Sequence, residues 1–187
     1  MRTEIRLAAG DDTQRVASFF TSLYETRHGI GSASSLEMLQ RTIASLFADD
    51  DAFVVFISES SGAVQGVAAV RHAAHDGPCE LIAIQADDTI RGRGVAQTLL
   101  SYLVRSCASQ GGTSLTTSVA SSDVRARGFL RREGFVASAE ELETASATSD
   151  ELIIYTLDVA AALARVTLTD DVSSDASADL GAGASDS

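Results

Sequence analysis

Glu80-Leu-Ile-Ala-Ile-Gln-Ala-Asp-Asp-Thr-Ile-Arg-Gly-Arg-Gly-Val-Ala-Gln-Thr-Leu-Leu100 is the stretch that decides the fold of this 187-residue chain. An apolar, strand-like run leads into a turn of Asp, Arg and Gly, and the turn opens directly into an amphipathic segment. There Val95, Leu99, Tyr102, Leu103 and Cys107 fall on one helical stripe. Strand, turn and helix in this order build an anion seat. The first N–H groups of a helix lack partners within it, point outward and carry the positive end of its dipole. Gly92 and Gly94 remove the Cβ atoms that would hold a diphosphate off the backbone. Arg91 and Arg93 add charge-assisted contacts.

Two well-known phosphate loops do not fit. A dinucleotide loop needs G-x-G-x-x-G, and the run from Gly92 reaches Gln97 at the third glycine position. Where that fingerprint expects an acidic ribose partner about 20 residues on, this chain has Gly111-Gly112-Thr113. A P-loop needs Gly-Lys, and the chain contains no lysine.

Arg91, Gly94 and Ala96 stand at the spacing R-x-x-G-x-A, and a second block follows at Asp123-Val-Arg-Ala-Arg-Gly-Phe-Leu-Arg-Arg-Glu-Gly-Phe135. The first resembles motif A of the GNAT superfamily of N-acetyltransferases, R/Q-x-x-G-x-G/A. The second is similar to that superfamily's N-x-x-A-x-x-F-Y-x-x-x-G-F block, with Ala126, Phe129, Gly134 and Phe135 matching. Asp123 stands where Asn is usual, and Leu130 replaces a Tyr that in the family commonly protonates the departing coenzyme A thiolate.

The resemblance implies an α/β fold of the α+β, mixed-sheet kind. This is the GNAT-like acyl-CoA N-acyltransferase fold, in the order β-α-α-β-β-β-α-β-α-β-β over roughly residues 3 to 158. It implies an acetyl group passing from acetyl-CoA, a cosubstrate used without a metal, to a primary amine of a small molecule or peptide. Attack would be direct, within a ternary complex. On this reading Arg91, Gly92, Arg93, Gly94, Val95 and Ala96 hold the pyrophosphate. The backbone of Ala86, with Ile84 on the same face, meets the pantetheine arm, and Asp123 and Phe129 border the cofactor. Asp123 reads equally well as a helix N-cap.

The chemistry then has three tasks: deprotonate the amine, stabilise an oxyanion, and help a thiolate leave. Glu80 and Gln85 lie on the central strand where family bases occur, although a solvated strand-edge Glu is the plainer description of Glu80. With Leu130 in the Tyr position, Tyr155, Ser122 or water is left as the acid, and Tyr155 beside Ile153, Ile154 and Leu157 reads equally as core. By family analogy Tyr24 and His28 line the acceptor pocket, with His72 and His75 beside the acceptor groove. Cys107 on the helix stripe reads as a small buried hydrophobe, which argues against an acyl-enzyme. The departures at Asp123 and Leu130 motivate a rival, a non-catalytic acyl-CoA-binding regulatory module.

Composition bounds the rest. Net charge is −12 and every basic residue is Arg, so a nucleic-acid partner is disfavoured for want of a basic face. No run of 18 apolar residues exists and the N-terminus lacks an apolar signal core, so neither a membrane span nor secretion is expected. Cys79 and Cys107 show no C-x-x-C spacing, so neither zinc nor a disulfide framework is suggested, and a cytoplasmic setting follows. A homodimer is expected only because dimers are common in the resembling family. Residues 1–159 read as the GNAT-like domain. Residues 160–187, holding five Asp and one Arg, read as an acidic, largely disordered tail.

Overall fold

The computed structural model describes residues 3–28, 33–48, 52–72, 77–90, 92–138 and 152–167. Alternating apolar and polar residues form β1 (Glu4–Leu7), and Gly10–Asp12 tighten into a 3-10 turn ahead of α1 (Thr13–His28). That helix runs through Arg27 and His28 and contains neither glycine nor proline. After α2 (Ala33–Leu46) come β2 (Phe53–Ser60) and β3 (Ala63–Arg71), joined by Ser61 and Gly62. Both turn residues take positive φ, 51° and 80°, the two-residue hairpin geometry whose twist matches its strands. Next come β4 (Pro78–Ala86), α3 (Val95–Ser109), β5 (Ser114–Ala120), α4 (Val124–Arg132), β6 (Val136–Ala137) and β7 (Leu152–Asp158).

Among the described residues, seven strands form one sheet in the order β1-β2-β3-β4-β5-β7-β6, and only the β4–β5 pairing is parallel. Helices cover both faces. On one, Val16, Phe19 and Leu23 of α1 and Ile43 and Leu46 of α2 pack on Val55, Ile57, Val67 and Ala69. On the other, Leu99, Leu103 and Cys107 of α3 pack on Val70, Cys79, Leu81, Leu115 and Tyr155. Among the described residues no helix is long and apolar enough to cross a membrane.

Residues 159–167 form a further helix, α5, directly after β7. Val159 and Ala162 are buried in the second core, and Arg165 donates to the carbonyl of Glu133 at 3.1 Å. The packed part of the chain therefore reaches beyond residue 159, into residues assigned above to the tail. The averaged Asp/Ser composition of 160–187 hid a short apolar stripe that docks. Residues 168–187 and the Glu140–Asp150 segment lie outside the described residues.

The first strand is tied to α1 by charge. Arg6 donates to both carboxylate oxygens of Asp12 at 2.7 and 2.9 Å, Arg15 adds a bond at 2.7 Å, and both arginines also reach Glu59. Asp12 is only 3% exposed and accepts the Ala9 N–H at 3.1 Å. Its carboxyl is held well below the usual carboxylate range, chiefly by the Arg6 hydrogen bonds and against the opposing effect of burial. A carboxyl depressed by folding contributes stability above its unfolded pKa of about 3.9 and loses it as pH falls from there through the folded value. Asp12→Ala is expected to cost about 2 kcal/mol at neutral pH through lost charge-assisted bonds. Denaturant unfolding at stepped pH should then show wild type losing stability more steeply than the variant below about pH 4. Parallel curves would remove Asp12 as the acid-sensitive group.

Candidate functional site

β4 and β5 pair at only three positions, Pro78↔Ser114, Cys79↔Leu115 and Glu80↔Thr116, and then separate. A bulge sets this up. Val70 pairs with Leu81 and Ala69 with Ala83, so Ile82 is an extra residue on β4, and an extra residue bends a strand and increases its twist. Meanwhile β5 stays paired to β7 along its whole length. At the apex the Thr116 and Thr117 hydroxyls donate to the carbonyls of Cys79 and Leu81 at 3.2 and 3.0 Å, closing the narrow end of the gap.

The gap is a cleft of about 800 Å³, within the size range of small-molecule sites. Its walls are the C-terminal halves of β4 and β5, the start of α3 and one side of α4. Asp87 N donates to Gln65 O at 2.8 Å. By the alternation of an antiparallel pair, Gln85 turns its backbone groups to β3, while Ile84 and Ala86 turn theirs to the cleft. A row of main-chain groups thus lines one wall.

At the open end the turn is built by its own side chains. Asp87 accepts from the N–H and hydroxyl of Thr89, both at 2.8 Å, and Arg93 N donates to Ile90 O at 3.2 Å. Gly92 and Gly94 follow with φ of 81° and 74°, a region that favours glycine. A Cβ at either would meet no protein atom within 4 Å, so the space above them is open. The first helical bond of α3 is Thr98 N to Gly94 O at 2.8 Å. The N–H groups of Gly94, Val95, Ala96 and Gln97 therefore have no acceptor among the described residues, and Gly94, Val95, Ala96 and Gln97 border the cleft. That is the donor set a diphosphate requires.

Several residues singled out in the sequence meet here: Ile84, Gln85, Ala86, Gly92, Gly94, Val95, Ala96, Asp123 and Phe129 all line the cleft. Asp123 is also the N-cap of α4, accepting from Ala126 N at 2.9 Å. Leu130 is 2% exposed and belongs to the core beneath the cleft. Other expected residues stand elsewhere. Glu80 lies where β4 and β5 are still paired, and its carboxylate is held by Arg71. Tyr155 is fully buried in the core, its hydroxyl 3.4 Å from Arg127 Nε. His72 sits at the far end of β3, against Cys79 and Ser106, and burial pushes its pKa down. Arg93 is exposed and absent from the lining, and Tyr24 is half-buried on α1. Arg91 and His75 lie outside the described residues, as does the side chain of His28.

Sequence reasoning passed over the β5 wall, Thr117, Ser118 and Val119, and the α4 residue Arg125. Arg125 donates to Asp88 at 2.6 Å, linking α4 to the turn after β4. Thr117 and Ser118 carry no motif; only the strand separation makes them cleft residues.

Comparison with known proteins bears on what this cleft serves. The profile described as Acetyltransferase (GNAT) family matches residues 17–135. No curated protein matches the chain in sequence. Among solved structures, a GNAT-family acetyltransferase of Staphylococcus aureus superposes with a TM-score of 0.67 at 12% identity, over 84% of this chain and 99% of the other. The ribosomal-protein-S18-alanine N-acetyltransferase of Escherichia coli gives 0.63 at 17% identity, over 84% and 94%. The PaiA N-acetyltransferase of Thermoplasma acidophilum, solved in complex with coenzyme A, gives 0.65 at 16% identity, over 82% and 98%.

Proposed function

The chain belongs to the acetyltransferase (GNAT) family, and on that premise we propose that it is an N-acetyltransferase moving acetyl from acetyl-CoA directly to a primary amine of a small molecule or peptide. The observation that carries this reading is the set of N–H groups at Gly94 to Gln97 with no acceptor among the described residues, beside the open space at Gly92 and Gly94 and at the mouth of a cleft edged by the backbone of Ile84 and Ala86. The diphosphate fits the first and the amide-bearing arm fits the second. The thioester supplies an activated acetyl group; everything else is positioning and electrostatics.

Backbone N–H groups of Ile84 and Ala86 can donate to the carbonyl as negative charge develops there, with little reorganisation. Alignment of the two substrates contributes much of the acceleration, so no protein nucleophile is required. Among the described cleft residues, Gln85, Thr117 and Ser118 offer neutral polar groups. Glu80 and Tyr155 are set aside as base and acid, one held at the paired end of β4 and the other inside the core.

The buried Leu130 in the family's Tyr position favours a second reading, a non-catalytic acyl-CoA-binding module with a regulatory role. Calorimetry with coenzyme A comes first: one site per chain is expected, and no heat at millimolar ligand would remove both readings. Release of free thiol from acetyl-CoA across a panel of polyamines, aminoglycosides and basic peptides then separates them. Turnover with any amine supports the enzyme; tight binding with no turnover supports the module.

A further inference from the structure

At the end of the sheet opposite the cleft, three metal-ligating side chains from three elements converge. His72 follows β3, Cys79 begins β4 and Cys107 lies in the second half of α3. One nitrogen and two sulfurs from these residues lie within 4.8 Å of one another. Cys79 Sγ and His72 Nδ1 are 3.7 Å apart. Tetrahedral zinc, with Zn–S of about 2.3 Å and Zn–N of about 2.0–2.1 Å, holds its ligand atoms roughly 3.5–3.8 Å apart. One pair already has that spacing, and small side-chain rotations would bring in the third atom.

Two further features point the same way. His72 Nε2 is 3.3 Å from Ser106 Oγ, so the hydroxyl can hold the ring with its other nitrogen toward the sulfurs. Ligating histidines are oriented by such a partner on the far nitrogen. Gly112 is the second. A Cβ there would stand 2.6 Å from Cys79 Sγ and 3.0 Å from Cys107 O, so glycine permits the end of α3 to lie this close to β4.

We infer that His72, Cys79 and Cys107 form a binding site for a thiophilic divalent cation, zinc in first place, with a fourth position for water beside the half-exposed histidine. Two sulfurs exclude calcium and magnesium, which take oxygen ligands. Two thiolates, a neutral imidazole and a divalent cation sum to zero charge, which an apolar core accepts far better than bare thiolates. The ion would pin the C-terminal half of α3 to β3 and β4 and so fix the helix whose other end borders the cleft. The sequence expectation of no zinc rested on the missing C-x-x-C spacing, and these ligands are assembled by the fold instead. Nothing in the inference depends on the transferase reading.

Cobalt titration of the full chain, reduced and stripped of metal, is the test. One Co²⁺ per chain is expected, with a thiolate-to-cobalt charge-transfer band and the visible bands of tetrahedral cobalt, all bleached by Zn²⁺. Cys79→Ala and Cys107→Ala should each weaken that band and lower affinity at least tenfold, and Ser106→Ala should lower it about 10-fold. Zinc should raise the melting temperature of wild type and of neither cysteine variant. Ser106→Ala, a surface-side change, keeps the test informative if a core variant fails to fold. A missing thiolate band and unchanged melting in excess metal would overturn the site. So would wild-type affinity in Cys79→Ala, or a Cys79–Cys107 disulfide whose reduction yields protein without cobalt affinity.

Discussion

Gly94→Glu is expected to take coenzyme A binding below detection in calorimetry at millimolar ligand, while leaving the fold intact. The wild-type residue has φ of 74° and precedes the first turn of α3. A Cβ there meets no protein atom within 4 Å, so the added side chain disturbs no packing and projects into the space assigned to the diphosphate. Two costs act. Left-handed backbone at a non-glycine residue takes about 1–2 kcal/mol, mostly from stability. A carboxylate about 4 Å from a phosphate adds repulsion on the order of 4 kcal/mol at the effective dielectric of a protein surface. Since about 1.4 kcal/mol is a tenfold change, binding should weaken by at least 100-fold. Gly94→Ala separates the two, because it carries the strain without the charge and should lose far less affinity. Wild-type affinity in Gly94→Glu would withdraw the diphosphate from this turn and leave the cleft without its principal argument.

The parts of the molecule legible in the sequence are those written locally. The Arg/Gly turn between an apolar run and an amphipathic stripe announces the β4–α3 unit, because the positive φ at Gly92 and Gly94 is a property of single residues. Element order and the mixed sheet followed from the two resembling blocks. What stayed hidden is relational. Ile82 is one apolar residue among several, and nothing in its identity says that β4 bulges there, yet that bulge parts the strands and makes Thr117 and Ser118 cleft residues. Glu80 looked available because its strand was read alone; Arg71, its partner, lies on the neighbouring strand. Tyr155 is one of three alternating buried residues on β7, a pattern as consistent with core as with chemistry until the sheet is seen. The α5 helix escaped for another reason: its apolar stripe is short, and burial of Val159 and Ala162 in the α3-side core gives it the stability that its own length does not.

Gly66 tests whether core and cleft are one mechanical unit. It pairs with Ala86 at the cleft end of β3, directly beneath the first turns of α3. A Cβ there would stand 2.9 Å from both Leu99 Cδ1 and Val95 Cγ1 and 3.1 Å from the Gln85 carbonyl, so even one methyl forces neighbours to move. Gly66→Leu adds three more carbons, and overpacking of this kind costs about 3 kcal/mol or more. The strain is expected to relax by lifting the start of α3, because β3 is held on both sides by β2 and β4. Lifting that turn moves the Val95 and Ala96 amides relative to Ala86, so coenzyme A affinity should fall together with stability. Leu103→Ala is the control. It removes a fully buried side chain two turns further along the same helix, at a similar cost of about 2–5 kcal/mol. It leaves the first turn alone and should keep affinity near wild type. Unfolding by denaturant and calorimetry on both variants give the comparison. If Gly66→Leu and Leu103→Ala lose stability alike and bind alike, the seat does not depend on how closely β3 lets α3 approach, and Gly66 is a packing glycine only.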